Sequence, residues 1–546
     1  METKKSFSVS GNIVDVVNQK IFQGTVKVEN GKISTLKEEK VEDTHFILPG
    51  FIDAHVHIES SMLIPSEFAR IAVTHGTVAT VSDPHEIANV LGVDGVQFMI
   101  DNGKKVPFKF YFGAPSCVPA TPFETSGAAL DSIAIEKLLK SDDIYYLAEM
   151  MNFPGVIFDD VEVLSKIKAA KYNNKPIDGH APGLKGKDLV KYANAGVSTD
   201  HECFSMEEAI EKINNGMKVQ IREGSAAKNF EVLVNLLDKY ADSIMFCSDD
   251  KHPDDLQKGH INLLVKRAIN KGFDPLKVIR TVTYNPVMHY KLSVGLLQIN
   301  DDADFIIVNN LKDLEVLKTY IKGTLVAENG ATLIKSVAES SLNLFNATEI
   351  TEKDIKVDAS ASKIKVIKAI EGQLITEAEI LEPKIENGFV VSDTERDILK
   401  IIVLNRYHKA KPAIGFIQNF QMKSGAIAST VAHDSHNIIA VGASDKDIVR
   451  AVNLLIKTKG GISLVNGEDE RLLPLPVAGL MSNEDGYQVA QKYELINNKV
   501  KLTGSTLKSP YMTLSFMALL VIPALKLSDK GLFDGTKFEF TPLNSF

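Results

Sequence analysis

Between Phe46 and Cys247 eight short apolar runs alternate with helical stretches, a pattern that few folds accept. The runs are Phe46–Ala54, Thr77–Val81, Lys109–Gly113, Ile144–Glu149, Pro176–Gly179, Val197–Thr199, Lys218–Ile221 and Ser243–Cys247. Segments such as Ala134–Lys140, Leu164–Lys171 and Ser205–Asn214 read as helices between them. Eight alternations over roughly 200 residues match a (β/α)8 barrel. An open, doubly wound sheet is the structural alternative, but no GxGxxG follows the first run. In a barrel the carboxyl ends of the strands converge on one face, so residues far apart in sequence build one site.

Those ends are where the reactive side chains lie. His55 and His57 close the first run, Glu149 the fourth, His180 and His201 follow the fifth and sixth, and Asp249 and Asp250 the eighth. Alternate residues of a strand share a face, so both imidazoles of His55-Val56-His57 reach one ion. Taken singly, each of these residues also fits an ordinary polar loop or strand end. Together they are a ligand set for borderline divalent metals that activate water. A glutamate ending an apolar strand can bridge two cations held roughly 3.5–4 Å apart. Two acids directly after a buried strand are costly unless a positive charge compensates them. The expected ligands are therefore His55, His57, Glu149, His180, His201 and Asp249, for two divalent ions.

Three further clusters leave alternatives open. Ser82-Asp83-Pro84-His85-Glu86 offers a ligand or substrate contact, or caps a helix with Asp83 at the N-cap and Pro84 at the first helical position. Arg222, Glu223 and Ser225, past the seventh run, are candidate substrate contacts. Ala432-His433-Asp434-Ser435-His436-Asn437 either reaches the barrel mouth, holds a metal, or is a hydrogen-bonded loop.

The flanks are different. Ser8–Val17 and Gly24–Ile33, the second around an Asn-Gly turn, read as strands of a small β-module. Asp304–Val308 and Val316–Ile321 are again strand-like and should complete that module, making it discontinuous (1–47 plus 300–335) around a barrel at 48–299. Residues 333–360 are polar and read as a linker, and 361–546 as a C-terminal α+β domain. The 546-residue length fits two or three domains. The net charge of −9 excludes the electrostatic footprint of a nucleic-acid binder. No run of about eighteen apolar residues predicts a membrane span, and Met1–Phe7 lacks the apolar core of a leader. Three cysteines, without a CxxC, make a disulfide framework unexpected. A cytoplasmic location is expected.

Leu48-Pro49-Gly50-Phe51-Ile52-Asp53-Ala54-His55-Val56-His57 resembles the opening signature of the amidohydrolase superfamily, and Thr283-Tyr284-Asn285-Pro286 its closing segment. Glu149 stands where many members carry a carboxylated lysine, which points away from the dihydroorotase and hydantoinase branches. More specific stretches resemble the bacterial-type adenine deaminases: His57–Met62, Ser82–Val90, Glu149–Val156, Asp178–Gly183, Thr199–Glu202, Ser248–Leu256 and Val431–Asn437. That resemblance covers nearly the whole chain. It implies hydrolysis of adenine to hypoxanthine and ammonia at a binuclear centre, with manganese or iron favoured over zinc. It also implies that His55, His57 and Asp249 hold one ion and His180 and His201 the other, with Glu149 between them. Asp249 and Glu149 are then the catalytic groups, and Asp250, Arg222, Glu59 and His85 the substrate contacts. The expected partner is a small purine base, with neither nucleic acid nor membrane, and the expected assembly a homo-oligomer, dimer or larger. The rival reading is an amidohydrolase that deacetylates an N-acyl small molecule.

Overall fold

The computed structural model describes residues 6–545, so Met1–Lys5, most of the stretch read above for a leader, lie outside the described residues. Eight parallel strands follow the expected alternation. Phe51–Val56, Thr77–Ser82, Lys109–Ala114, Ile144–Met150 and Ile177–Gly179 form one sheet, and Thr199–Asp200, Lys218–Arg222 and Ile244–Cys247 a second. The sheets meet at two seams. At one, Ser198 N–H donates to Ile177 O (2.8 Å); at the other, Asp249 N–H donates to His55 O (2.9 Å) and His57 N–H to Asp249 O (3.3 Å). The first two strands are buried along their whole length, as strands covered on both faces must be. No helix among the described residues is long and apolar enough to cross a membrane.

The first apolar run is not one strand. Phe46–Pro49 belongs to an outer sheet and only Phe51–Val56 to the barrel. The chain changes sheets at Gly50, where an added Cβ would stand 2.4 Å from Val78 Cγ1, so no larger residue passes there. The outer sheet interleaves strands from both sides of the barrel segment, in the order Ala331–Thr332, Thr324–Glu328, Val316–Ile321, Phe305–Val308, Phe46–Pro49, Ser6–Asp15, Lys20–Glu29 and Lys32–Glu38. Residues 333–360 carry little regular structure beyond one 3-10 turn, Glu352–Ile355.

The C-terminal part builds a nine-stranded sheet with two long helices, Asp445–Thr458 and Gly486–Val500. It sits on the barrel through specific contacts. Arg70 pairs with Asp485 (2.7 Å), Gly486 N–H donates to Glu67 Oε2 (2.8 Å) and Ser482 N–H to Met62 O (2.8 Å). Across the mouth, Phe123 packs among Phe533, Phe538 and Phe540, and Thr125 N–H donates to Asp529 Oδ1 (2.9 Å). Arg406, fully buried, ties the 432–437 loop to the linker by donating to His436 O, Asn343 Oδ1 and Ala478 O. Of the alternatives left open for that loop, it reaches the barrel mouth, where His433 and Asp434 line the same pocket as the strand-end ligands.

Glu124 lies buried in this contact region. Burial, with Asp434 adding to it, pushes its carboxyl up to about 8. The folded value lies above the unfolded one of about 4.3, so the stability contributed by the protonated form is complete below that value and is lost as pH rises toward 8. Glu124→Gln should therefore unfold at a higher denaturant concentration than the wild type at pH 8. The difference at pH 5 should be smaller by on the order of 2–4 kcal/mol. A gap that does not change between the two pH values contradicts the assignment.

Candidate metal centre at the barrel mouth

The strand ends bring all six expected ligands together, and all six are buried. His55 Nε2 and His57 Nε2 face each other at 3.2 Å, and Asp249 Oδ1 stands 3.5 and 3.2 Å from them. Ligand atoms about 2.1 Å from one ion at a tetrahedral angle are about 3.4 Å apart, so this triangle has the edge lengths of a coordination shell. Glu149 divides its oxygens. Oε1 is 3.3 Å from His57 Nε2, while Oε2 is 2.8 Å from His180 Nδ1 and 3.2 Å from His201 Nε2. One carboxylate thus faces two imidazole groups on opposite sides.

Buried polar groups behind the ligands hold the strand ends in place. His57 Nδ1 faces Asp83 O (3.1 Å), which leaves Nε2 for the centre. Asp53 fixes the first and eighth strands to each other: it accepts from Ser248 N–H (2.9 Å) and pairs with His260 (2.8 Å), whose other nitrogen meets Thr77 Oγ1 (2.7 Å). Asp200 accepts from Ala181 N–H (2.9 Å), placing the turn after His180, and the buried Lys212 compensates it at 3.0 Å. Asp249 adopts a left-handed backbone (φ 55°), which aspartate tolerates better than most residues and which turns its carboxylate into the mouth.

The residues expected to touch substrate are distributed unevenly. Asp250 lines the pocket and accepts from Ser60 Oγ at 2.5 Å. His85 also lines it, 3.4 Å from Glu149 Oε1 and 3.2 Å from Asp83 Oδ2. Arg222 lines it too, but its guanidinium is engaged on both sides, by Glu202 (Nη2 to Oε2, 2.9 Å) and by Asp249 Oδ2 (2.5 Å). Glu59 lies behind the wall and accepts the Ile87 N–H at 3.2 Å. Ser225 and Glu223 face away: Ser225 Oγ donates to Asp255 (2.7 Å) and Glu223 pairs with Arg267 (2.9 Å). Asp83 does not cap through its own N-cap position. Pro84 takes that place, and Asp83 Oδ1 accepts from His85 N–H at 3.0 Å.

Glu86, from the 82–86 cluster that offered a ligand or substrate contact, lines the pocket; sequence reasoning gave no role to Glu202, Phe516, Leu519 or Leu374, which also line it. Glu202 was within reach, as the residue after a ligand-bearing strand end. The other three were not: they arrive from a separate domain, where no spacing links them to the ligands. His433 and Asp434 roof the site, His433 stacking on Phe516 at 5.0 Å between ring centroids. His433 Nδ1 meets Glu86 Oε1 at 2.5 Å and its Nε2 looks toward Asp250 Oδ1 at 3.8 Å. His436 also contacts Glu86, but its Nδ1 accepts the Ala432 N–H (3.1 Å), which places the ring proton on Nε2. That nitrogen is a hydrogen-bond donor and has no lone pair for a metal.

Six carboxylates and a single guanidinium line the pocket, together with five imidazoles. Burial alone pushes Glu149 up, yet His180, His201 and His57 outweigh it and hold the carboxyl well below the usual range. Asp249 is likewise held well below that range against burial, by Arg222 and then His55 and His57. Asp250 is raised, by burial and by repulsion from Asp249. Such a buried negative excess fits divalent cations, which the converging donors would hold. His55–His57–Asp249, His55–Glu149–His201, and His57–Asp83–His85–Glu149 each converge closely enough for one ion.

The chain is similar to known proteins along nearly its whole length. The Amidohydrolase family profile matches residues 46–326, and the profile described as the Adenine deaminase C-terminal domain matches 373–539. The adenine deaminase of Methanosarcina mazei is 55% identical over 98% of this chain and 98% of its own length. Those of Salinibacter ruber and Borreliella burgdorferi are 53% and 50% identical, each over 98% of this chain and over 98% and 99% of their own.

Glu149→Ala, purified in metal-replete buffer, should retain less than half of the divalent metal bound per wild-type chain. His436→Ala should retain nearly all of it. Elemental analysis of both proteins checks this, and the reverse ranking would refute the donor assignment.

Proposed function

The chain belongs to the adenine deaminase family of the amidohydrolases, and from that footing we propose that the pocket under its C-terminal domain hydrolyses adenine to hypoxanthine and ammonia. The observation that carries the reading is the divided Glu149 carboxylate, with imidazoles against each oxygen at 2.8–3.3 Å. In this reading His55, His57 and Asp249 hold one divalent ion, His180 and His201 the other, and Glu149 both. Such ions, when bound, make a water nucleophilic near neutral pH.

The side chains divide the remaining work. Asp249 receives the proton of the attacking water and returns it to the amine that leaves C6, because an amide anion is a very poor leaving group. Arg222, bonded to Asp249 Oδ2, fixes that carboxylate and keeps it ionised. Asp250, positioned by Ser60 Oγ, accepts an N–H of the purine five-membered ring. His85 faces the base from the second strand, and Glu59 steadies that loop through the Ile87 N–H. Phe516, Leu519 and Leu374 supply an apolar roof against which a flat base packs and which excludes water.

The wider reading follows the same family. Residues 1–47 with 300–335 form the β-module, 48–299 the catalytic barrel and 361–546 the covering domain. Manganese or iron serves better than zinc, and the setting is purine salvage in the cytoplasm, in keeping with three buried cysteines that are all free thiols. A homo-oligomer is supported by the exposed Ile133, Phe158, Val161 and Tyr172, which leave apolar surface uncovered.

After reconstitution with manganese, the protein should release ammonia from adenine and not from adenosine or guanine. Turnover of adenosine alone would overturn the substrate, and acetate release from an N-acetyl compound without ammonia would favour the deacetylase. Asp250→Asn, with its metal content verified, should lose at least about tenfold in kcat/KM for adenine, about 1.4 kcal/mol of transition-state binding.

A further inference from the structure

A cleft of about 650 Å³ lies outside the active site, on the far side of the loops that carry Arg222 and Asp250. Its walls hold six cationic side chains against two carboxylates, Glu223 and Asp255, in a chain whose net charge is −9. Part of that positive charge is compensated: Arg267 pairs with Glu223 and Glu231, Lys271 with Glu231, Lys258 with Asp254, Asp255 and Glu494, and Lys228 with Glu223 at 3.7 Å. Lys251 is different. It is only 6% exposed, and among the described residues its ammonium makes no ion pair and no hydrogen bond. Its side chain lines the cleft, and an anion there would give the ammonium the partner it lacks.

The rest of the wall narrows the ligand. Leu263, 42% exposed, lines the cleft with the alkyl stems of its lysines, so an apolar surface adjoins the cationic end. A bare inorganic anion gains nothing from such a surface, whereas an organic body does. The carboxylate of Asp250 lines the catalytic pocket and the side chain of Lys251 this cleft, so consecutive residues serve opposite sides of one loop. Gly224 closes the partition: an added Cβ would stand 2.5 Å from Asp250 O, and Ser225 N–H donates to the same oxygen at 2.8 Å.

We propose that this cleft is a second ligand site, for a small organic phosphate whose phosphoryl group pairs with Lys251 and Lys228 and whose body lies on Leu263. The test is isothermal titration of the metal-loaded, full-length protein with AMP, inorganic phosphate and adenosine. AMP should bind saturably and more tightly than either of the others. Its dissociation constant should rise at least tenfold in Lys251→Met and several-fold in Lys228→Met. Lys228 is about half exposed, so its variant keeps the test decisive even where Lys251→Met fails to fold. Absence of AMP binding, or equal binding by the wild type and the Lys228→Met protein, overturns the site. Inorganic phosphate binding as tightly as AMP, or adenosine matching AMP, overturns the assignment to an organic phosphate.

Discussion

Everything around the barrel mouth depends on compensating buried negative charge. Six carboxylates face one small space, and the guanidinium of Arg222 is the single permanent cation among its lining. An isolated ionised carboxylate in such surroundings would protonate or drag in water. Here imidazoles answer Glu149, Arg222 answers Asp249 and Glu202, and His433 and His436 answer Glu86. Cations suit the centre because the charge balance requires them, and the ligand geometry follows from where the strands end.

The scaffold behind that charge cluster is rigid. Asp53 joins the first strand to Ser248 after the eighth, His260 carries that link to Thr77 of the second, and Tyr290 donates to Asp178 (2.8 Å) deeper in the barrel while Gln220 donates to Tyr290 (3.1 Å). These residues are buried, so their partners lie inside the protein, on different strands and on the helices that follow the eighth. The C-terminal domain then closes the mouth with Phe516 and Leu519, keeping the chemistry dry, and Arg406 pins the His433 loop from behind. The domain is thus part of the site and not an appendage to it.

The fold was legible because strand interiors are apolar and strand ends are not. Seven of the eight barrel strands fall within two residues of where the apolar runs place them. The exception is instructive: Phe46–Ala54 was read as one run across Pro49-Gly50, a local turn signal, and there the chain leaves one sheet for another. That break is set by Val78, a residue of the neighbouring strand. Arg222 shows the same limit at the site. Its position past the seventh strand suggested a hand extended to substrate, but Glu202 and Asp249 occupy its fork.

By itself the sequence determined the barrel and the set of side chains at its mouth, since hydrophobic period and residue type are local properties of the chain. It also carried the family motifs that specify adenine. Tertiary structure alone decided how those side chains are shared. Which oxygen of Glu149 faces which imidazole, which nitrogen of His436 holds its proton, and that a loop near residue 433 roofs a centre begun at residue 55 all depend on distances between segments. Those distances are fixed by strand register and domain packing, which no stretch of the chain encodes alone.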